Sequence, residues 1–227
     1  SLELGNSGKI AETSIEETAA AYVRNILDIQ KQGPFRLAGY SFGGVVAHEM
    51  ACQLLEMGHE VEFLGMFDTH SPAAVARVYS PLERLTVFWR QSAGQPLGQR
   101  FGSLASRIRE GMHTHRRIKS EISLATSSGP ASAYSDLRRV QVREENWRSM
   151  QAYRPRPFKG RITLFKTNHV NDKVEWPADY GWSPVALSGL DIVSVSGHHL
   201  ALFAPEHIET LAEALSTSLR RSSSPTS

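Results

Sequence analysis

The chain has 227 residues, of which 41% are hydrophobic and 21% charged, with a formal net charge of +2. Such a length suits one domain, or one domain carrying an insertion, and such a composition excludes an intrinsically disordered chain. So mild a charge balance argues against nucleic acid as a partner, and no apolar run approaches the roughly 18 residues of a membrane span, so no membrane partner is expected.

In chain order, the first clear element opens at Ser14, which with Glu17 three residues on forms a capping box. Ile15, Ala19, Tyr22, Ile26 and Ile29 then recur at helical spacing. The spacing predicts a helix over about 15–31, stopped by Gly33-Pro34. Phe35 to Gly39 reads as a strand, Tyr40 to Gly44 as a sharp turn, and Val45 to Met57 as a helix with Val46, Met50, Leu54 and Met57 on one face. Val61 to Phe67 is a second strand, ended by Asp68. This strand–turn–helix–strand order is a βαβ unit and implies a parallel sheet.

From Pro72 to about Met150 strand signals vanish. Helical stretches at 81–91 and 100–119 alternate with Ser/Gly/Pro breaks, notably Thr126 to Ala131, and predict a mostly helical insertion. Between Arg77 and Arg143 stand twelve Lys/Arg against four Asp/Glu, so most of the basic excess lies there. After Arg154-Pro155-Arg156-Pro157 the strand rhythm returns at Arg161–Lys166 and Asp191–Val195, and Glu206 to Leu219 reads as the last helix. The expected organisation is therefore an N-terminal part of an α/β core over 1–71, a helical lid over 72–150, the C-terminal part of the core over 151–219, and a Ser-rich, disordered tail over 220–227. The one cysteine, Cys52, excludes an internal disulfide, fits a reducing, cytoplasmic setting, and reads as a buried small residue.

Gly39-Tyr40-Ser41-Phe42-Gly43 matches G-x-S-x-G, and Gly44 follows. Between a strand and a helix this motif is a strained elbow that lifts a serine oxygen above the sheet. Ser41 is the candidate nucleophile. A serine hydroxyl needs a base. Among nine histidines, His199 in Gly197-His198-His199 stands just past the last strand, with His198 as its rival. His113 and His115 read as surface residues of the insertion, and His48 and His59 as structural. The base needs a carboxylate to fix its tautomer. Asp68 ends the strand next to the elbow, and Asp172, after the later strand, is the alternative. The backbone N–H of Phe42, at the start of a helix, is the expected oxyanion donor. The histidines lack the ligand spacing of a metal site, so no metal is expected.

With these residues in view, a family resemblance emerges. GPFRLAGYSFGG over 33–44, AHEMA over 47–51 and FDT over 67–69 resemble the type I thioesterase domains that end non-ribosomal peptide and polyketide synthases. Ser14-Ile15-Glu16-Glu17, Ala21-Tyr22-Val23, Tyr153-Arg154-Pro155 and Gly197-His198-His199 are similar to the same family. The resemblance covers about 10–70 and 150–215. It implies an α/β-hydrolase fold with a helical lid and a triad of Ser41, Asp68 and His199. It also implies a substrate acyl chain held as a thioester on the phosphopantetheine of an acyl or peptidyl carrier protein, with no cofactor of the enzyme's own. Release would follow by hydrolysis or cyclisation, within or beside a multidomain synthase. Arg116, Arg117, Lys119, Arg138, Arg139 and Arg143 either solvate exposed helix faces or help to dock an acidic carrier, and Phe88 and Trp89 pack under the lid or line an acyl channel.

One departure stands out. Members of that family begin with a strand and a Gly-containing loop that supplies the second oxyanion donor, whereas Ser1-Leu2-Glu3-Leu4 looks like the end of the next strand along. At least one N-terminal strand is therefore expected to be missing. Loss of one oxyanion donor costs on the order of 10²–10³ in rate. A truncated or non-catalytic remnant that still binds a carrier, and a free-standing carboxylesterase or lipase with the same triad, are the alternative functions.

Overall fold

The computed structural model describes residues 13–78, 132–168 and 176–222; the side chains of 132–141 are not among those described. Helix α1 spans Ile15–Ile29, β1 Phe35–Tyr40, α2 Phe42–Glu56, β2 Val61–Phe67 and α3 Pro72–Val78. Then come α4 over Ser132–Ala152, β3 over Ile162–Thr167, β4 over Leu190–Val195, a 3-10 turn over His199–Ala201, and α5 over Pro205–Ser222. The expected helices at 81–91 and 100–119, the break at Thr126–Ala131, Phe88, Trp89, Arg116, Arg117, Lys119, His113, His115, Asp172 and the N-terminal segment around Ser1–Leu4 lie outside the described residues. Glu12–Val78 and Arg148–Ser227 form one compact unit, and it carries all four described strands. The other unit, Ser1–Ala11 with Tyr79–Trp147, enters only through the first part of α4.

The four strands make one sheet in the order β1-β2-β3-β4, and every described pairing is parallel. The period-2 alternation of β2 sorts two cores. Leu64 and Met66 join Leu37, Ile162 and Leu164 beneath α1 and α2. Phe63 and Phe67 join Phe165, Val195, Leu202 and Leu211 on the side of α5. Helices thus cover both faces, as a parallel sheet requires, and this is the α/β-hydrolase architecture.

The capping box is formed at both ends: Glu17 N–H donates to Ser14 Oγ at 3.1 Å, and Ser14 N–H to Glu17 Oε2 at 3.0 Å. The apolar face of α1 differs from the expected one. Ile15, Ala19 and Val23 are buried, whereas Tyr22 is 50% and Ile29 90% exposed. Val46, Met50 and Leu54 are buried as their spacing requires, but Met57 follows the helix and is 55% exposed. α2 lies between α1 and the sheet and buries nearly its whole circumference, whereas Ile29 is the last residue of α1 and Met57 the first past α2.

Burial on that scale traps polar groups, and they are paired. Glu49, 1% exposed, accepts from Tyr153 Oη at 2.7 Å, Gln53 Nε2 at 2.9 Å and Arg156 Nη2 at 2.7 Å. Arg156 also bonds Glu56. The AHEMA block on α2 and the segment after α4 therefore meet at one buried carboxylate. His48 is fully buried beside Phe158, Trp182 and Tyr153, and burial lowers its pKa to about 4. Cys52 is buried, and desolvation raises its thiol to about 12, so it is a packing residue with no thiolate at neutral pH. The last helix runs three residues further than expected. Arg220–Ser222 are helical rather than part of a tail, with the Ser218 and Ser222 hydroxyls bonding the Ala214 and Leu219 carbonyls.

Candidate active site

All four strands point their carboxyl ends to one edge, where Tyr40 pairs with Phe67 and Thr167 with Val195. Ser41 and Asp68 are the first residues past β1 and β2. Each continues the sheet by one bond, Ser41 N–H to Phe67 O at 2.9 Å and Asp68 N–H to Phe165 O at 2.8 Å. Both take left-handed backbone angles, φ 52° at Ser41 and 45° at Asp68. Such strain in non-glycine residues clusters at functional sites. At Ser41 it turns the chain from strand to helix within one residue. The crossing is so close that a Cβ on Gly39 would stand 2.1 Å from the Gly43 carbonyl oxygen. Gly44 is needed as well, since a Cβ there meets Thr69 Oγ1 at 2.1 Å. Gly43 is different: a Cβ would have nothing within 4 Å. Gly39 is therefore required by the turn itself and Gly44 by the segment after β2, while Gly43 has room for a side chain.

Phe42 is the first residue of α2, so its N–H has no acceptor four residues back and faces the positive end of the helix dipole. The Ser41 side chain makes no capping bond to α2. His199 opens the 3-10 turn after β4. Its Nδ1–H donates to Asp68 Oδ2 at 2.7 Å, with Asp68 3% and His199 40% exposed. The buried carboxylate thus fixes the Nε2 side of the ring as the acceptor. His199 also stacks on Tyr40, centroids 4.9 Å apart and planes 29° apart, and the Tyr40 hydroxyl bonds the His199 carbonyl. The residue before the serine therefore holds the histidine. The structure brings Asp68 to His199 rather than to His198. Among the described residues no hydrogen bond joins His199 to Ser41; such catalytic bonds are often loose until substrate is present.

A family model described as thioesterase domain matches residues 3–219. The chain belongs to the thioesterase domain family. Enterobactin synthase component F of Escherichia coli O157:H7 is 25% identical over 92% of this thioesterase chain, which spans 14% of that protein. "Inactive atromentin synthetase invA6" of Paxillus involutus is 26% identical over 90% of the chain and 22% of its own length. The thioesterase chain thus corresponds to a small part of each of these curated relatives. Among solved structures, the NocB thioesterase domain in covalent complex with a fluorophosphonate nocardicin G analog shares 27% identity and a TM-score of 0.59, over 94% of this chain and 78% of that one. The surfactin-cyclising domain SrfTE, at 18% identity and a TM-score of 0.57, covers 93% of this chain and 76% of its own and shares the fold.

The thioesterase surrounds Asp68 with residues that sequence reasoning missed. Oδ1 accepts from Thr167 N–H at 3.1 Å, Thr167 Oγ1–H at 2.9 Å and Tyr180 Oη–H at 3.3 Å. Burial pushes the Asp68 pKa up, but the His199 and Thr167 hydrogen bonds outweigh it and hold the carboxyl below its ordinary value. His70, two residues on, lies between Trp176 and Tyr180, with centroids 3.9 and 3.8 Å away. Its Nε2 is buried without a partner among the described residues, and burial lowers its pKa to about 4. His70 therefore stays neutral beside the acid–base pair. The sequence carries one signal for this region, Asp179-Tyr180-Gly181-Trp182, whose Gly marks a turn. Among the described residues no cluster of His, Cys, Asp and Glu has the makings of a metal site, and no helix is long and apolar enough to cross a membrane.

Proposed function

We propose that this domain releases acyl, peptidyl or polyketide chains from the phosphopantetheine thioester of a carrier protein through an acyl-enzyme on Ser41. His199 Nε2 takes the Ser41 proton as Oγ attacks the thioester carbonyl. The Phe42 N–H stabilises the oxyanion, worth on the order of 10²–10³ in rate per donor. Collapse breaks the C–S bond, and His199 returns the proton to the departing pantetheine thiol. His199 then takes a proton from water, or from a hydroxyl or amine of the chain itself, that nucleophile attacks the acyl carbonyl, and His199 passes the proton to Ser41 Oγ as the ester C–O bond breaks to give an acid or a macrocycle. Asp68 holds the imidazolium throughout. The substrate carries the pantetheine, so the reaction asks no cofactor of the enzyme, and its setting is the cytoplasmic multidomain synthase. Basic residues such as Arg138, Arg139 and Arg143 would meet an acidic carrier.

The observation that carries this reading is the 2.7 Å bond from His199 to buried Asp68, with His199 packed on the residue next to Ser41. The test is thiol release from a short acyl pantetheine thioester by the chain and by its Ser41→Ala variant. Turnover that disappears in Ser41→Ala is the expected result. A folded chain that traps no acyl group on Ser41 and releases no thiol overturns the reading.

A further inference from the structure

The acid–base pair rests on a turn that the reaction itself does not use. Among the described residues, Asp68 presents two oxygens in unequal settings: Oδ2 meets His199, while Oδ1 accepts from Thr167 twice and from Tyr180 once. A carboxylate can rotate about its last bond and exchange its oxygens. Three donors on one oxygen oppose that rotation and draw charge away from the oxygen that faces the base.

Tyr180 is an improbable residue for the place it occupies. Its φ is 48°, a region that bulky side chains avoid. The turn around it is bolted down on all sides. Tyr180 N–H donates to Pro177 O at 3.0 Å, and Tyr180 O accepts from Ser71 N–H at 2.9 Å. Trp182 Nε1–H donates to Thr69 O at 2.8 Å. Gly181, with φ 78°, admits no side chain, because a Cβ would stand 2.5 Å from Ser71 Oγ. The Tyr180 ring stacks on His70, and Lys166 Nζ lies 4.7 Å over it while donating to Ala178 O at 3.0 Å. Apart from the Tyr180–Pro177 bond within the turn itself, these contacts tie the turn to the segment just after Asp68 or to the end of β3. Packing alone explains a buried aromatic ring; it does not explain a strained backbone that delivers the hydroxyl to Asp68.

Resting on the triad reading above, we infer that Tyr180 is a positioning residue whose hydroxyl locks the Asp68 carboxylate with Oδ2 towards His199 and sets the basicity of that histidine. Without the hydroxyl, Oδ1 holds less of the charge, Oδ2 holds more, and the imidazolium is favoured. His199 then titrates at higher pH. Among the described residues, the groups that face the pair are Lys166 at the end of β3, His70 after β2, Tyr40 at the end of β1, and Tyr180 itself. The substitution proposed below leaves all but the last as they are.

The experiment compares the full chain with Tyr180→Phe, which keeps the ring and loses only the hydroxyl. Three readouts are taken: thermal unfolding, the His199 titration followed by NMR of the histidine ring nitrogens, and kcat and KM for an acyl pantetheine thioester across pH. The expected result is a folded protein with a modestly lowered unfolding midpoint, since one hydrogen bond to a buried carboxylate is lost, a His199 titration raised by roughly half a pH unit, about threefold in the protonation equilibrium, and a lower kcat with KM unchanged. Thr167→Val removes a different donor from the same oxygen and is the second variant, decisive if Tyr180→Phe does not fold. It should move His199 in the same direction. A His199 titration that stays put in the folded variants assigns Tyr180 to packing and overturns the inference. The NMR readout needs no turnover, so it stands even if the wild-type chain proves inactive on thioesters, which would defeat the functional reading instead.

Discussion

Replacing Asp68 by Asn tests the pair at the point where geometry leaves least freedom. Asn has the same shape but one carbonyl oxygen and one amide NH₂. The corner now filled by Oδ1 receives three donors, including the Thr167 backbone N–H at 3.1 Å, which cannot turn away. Only an acceptor fits there, so the amide must put its oxygen towards Thr167 and its NH₂ towards His199. An NH₂ against Nδ1 requires Nδ1 to be the bare nitrogen and moves the proton to Nε2. That tautomer cannot accept the Ser41 proton. The expected loss in kcat is on the order of 10⁴-fold, or about 5 kcal/mol of barrier. The protein should remain folded, because every donor on Oδ1 keeps its acceptor. The assay is thiol release from an acyl pantetheine thioester, beside Ser41→Ala and with the fold checked by circular dichroism. A folded Asp68→Asn that stays within about tenfold of wild type refutes the tautomer argument, and Asp172→Asn would then be the variant to measure. The charge matters for stability as well. Because the folded Asp68 pKa lies below the ordinary 3.8, its contribution is complete above about that pH and is lost as pH falls through the lower, folded value.

Two further outcomes follow from buried groups. His48 is neutral in the fold, with a pKa near 4 against an ordinary 6.5, so the unfolded chain binds its proton first as pH drops. Stability should therefore fall by about 2 kcal/mol between pH 7 and pH 5 on its account. His48→Phe should flatten that part of the pH dependence in denaturant titrations, and an unchanged slope would show that His48 does not carry it. At the elbow, Gly39→Ala should cost about 3 kcal/mol or more through its clash with the Gly43 carbonyl. Gly43→Ala, with open space around it, should gain roughly 0.5–1 kcal/mol of helix stability. Urea unfolding of both variants checks the pair, and equal destabilisation by the two would contradict the geometry.

Much of this protein is legible because its signals are local. The capping box at Ser14 and Glu17 joins residues three apart, the strands announce themselves by short apolar runs, and the elbow is a strand and a helix joined at Ser41. Backbone sterics and turn chemistry act over that range whatever the remainder of the chain does. Chain order alone then places Ser41, Asp68 with its alternative Asp172, and the pair His198-His199 at the carboxyl edge of a parallel sheet. The tertiary structure decided what depends on approach between distant segments. It paired Asp68 with His199 across 131 positions, and brought to the same carboxylate Thr167 from 99 positions away and Tyr180 from 112. It left Tyr22, Ile29 and Met57 exposed although their spacing matches the apolar faces of their helices. It required Gly39 and Gly44 but not Gly43, a distinction that rests on which atoms lie opposite each Cα. Periodicity states which face of an element is apolar; which groups meet, and so which acid orients the base, is settled only when the packed chain brings donors and acceptors to within 3 Å of one another.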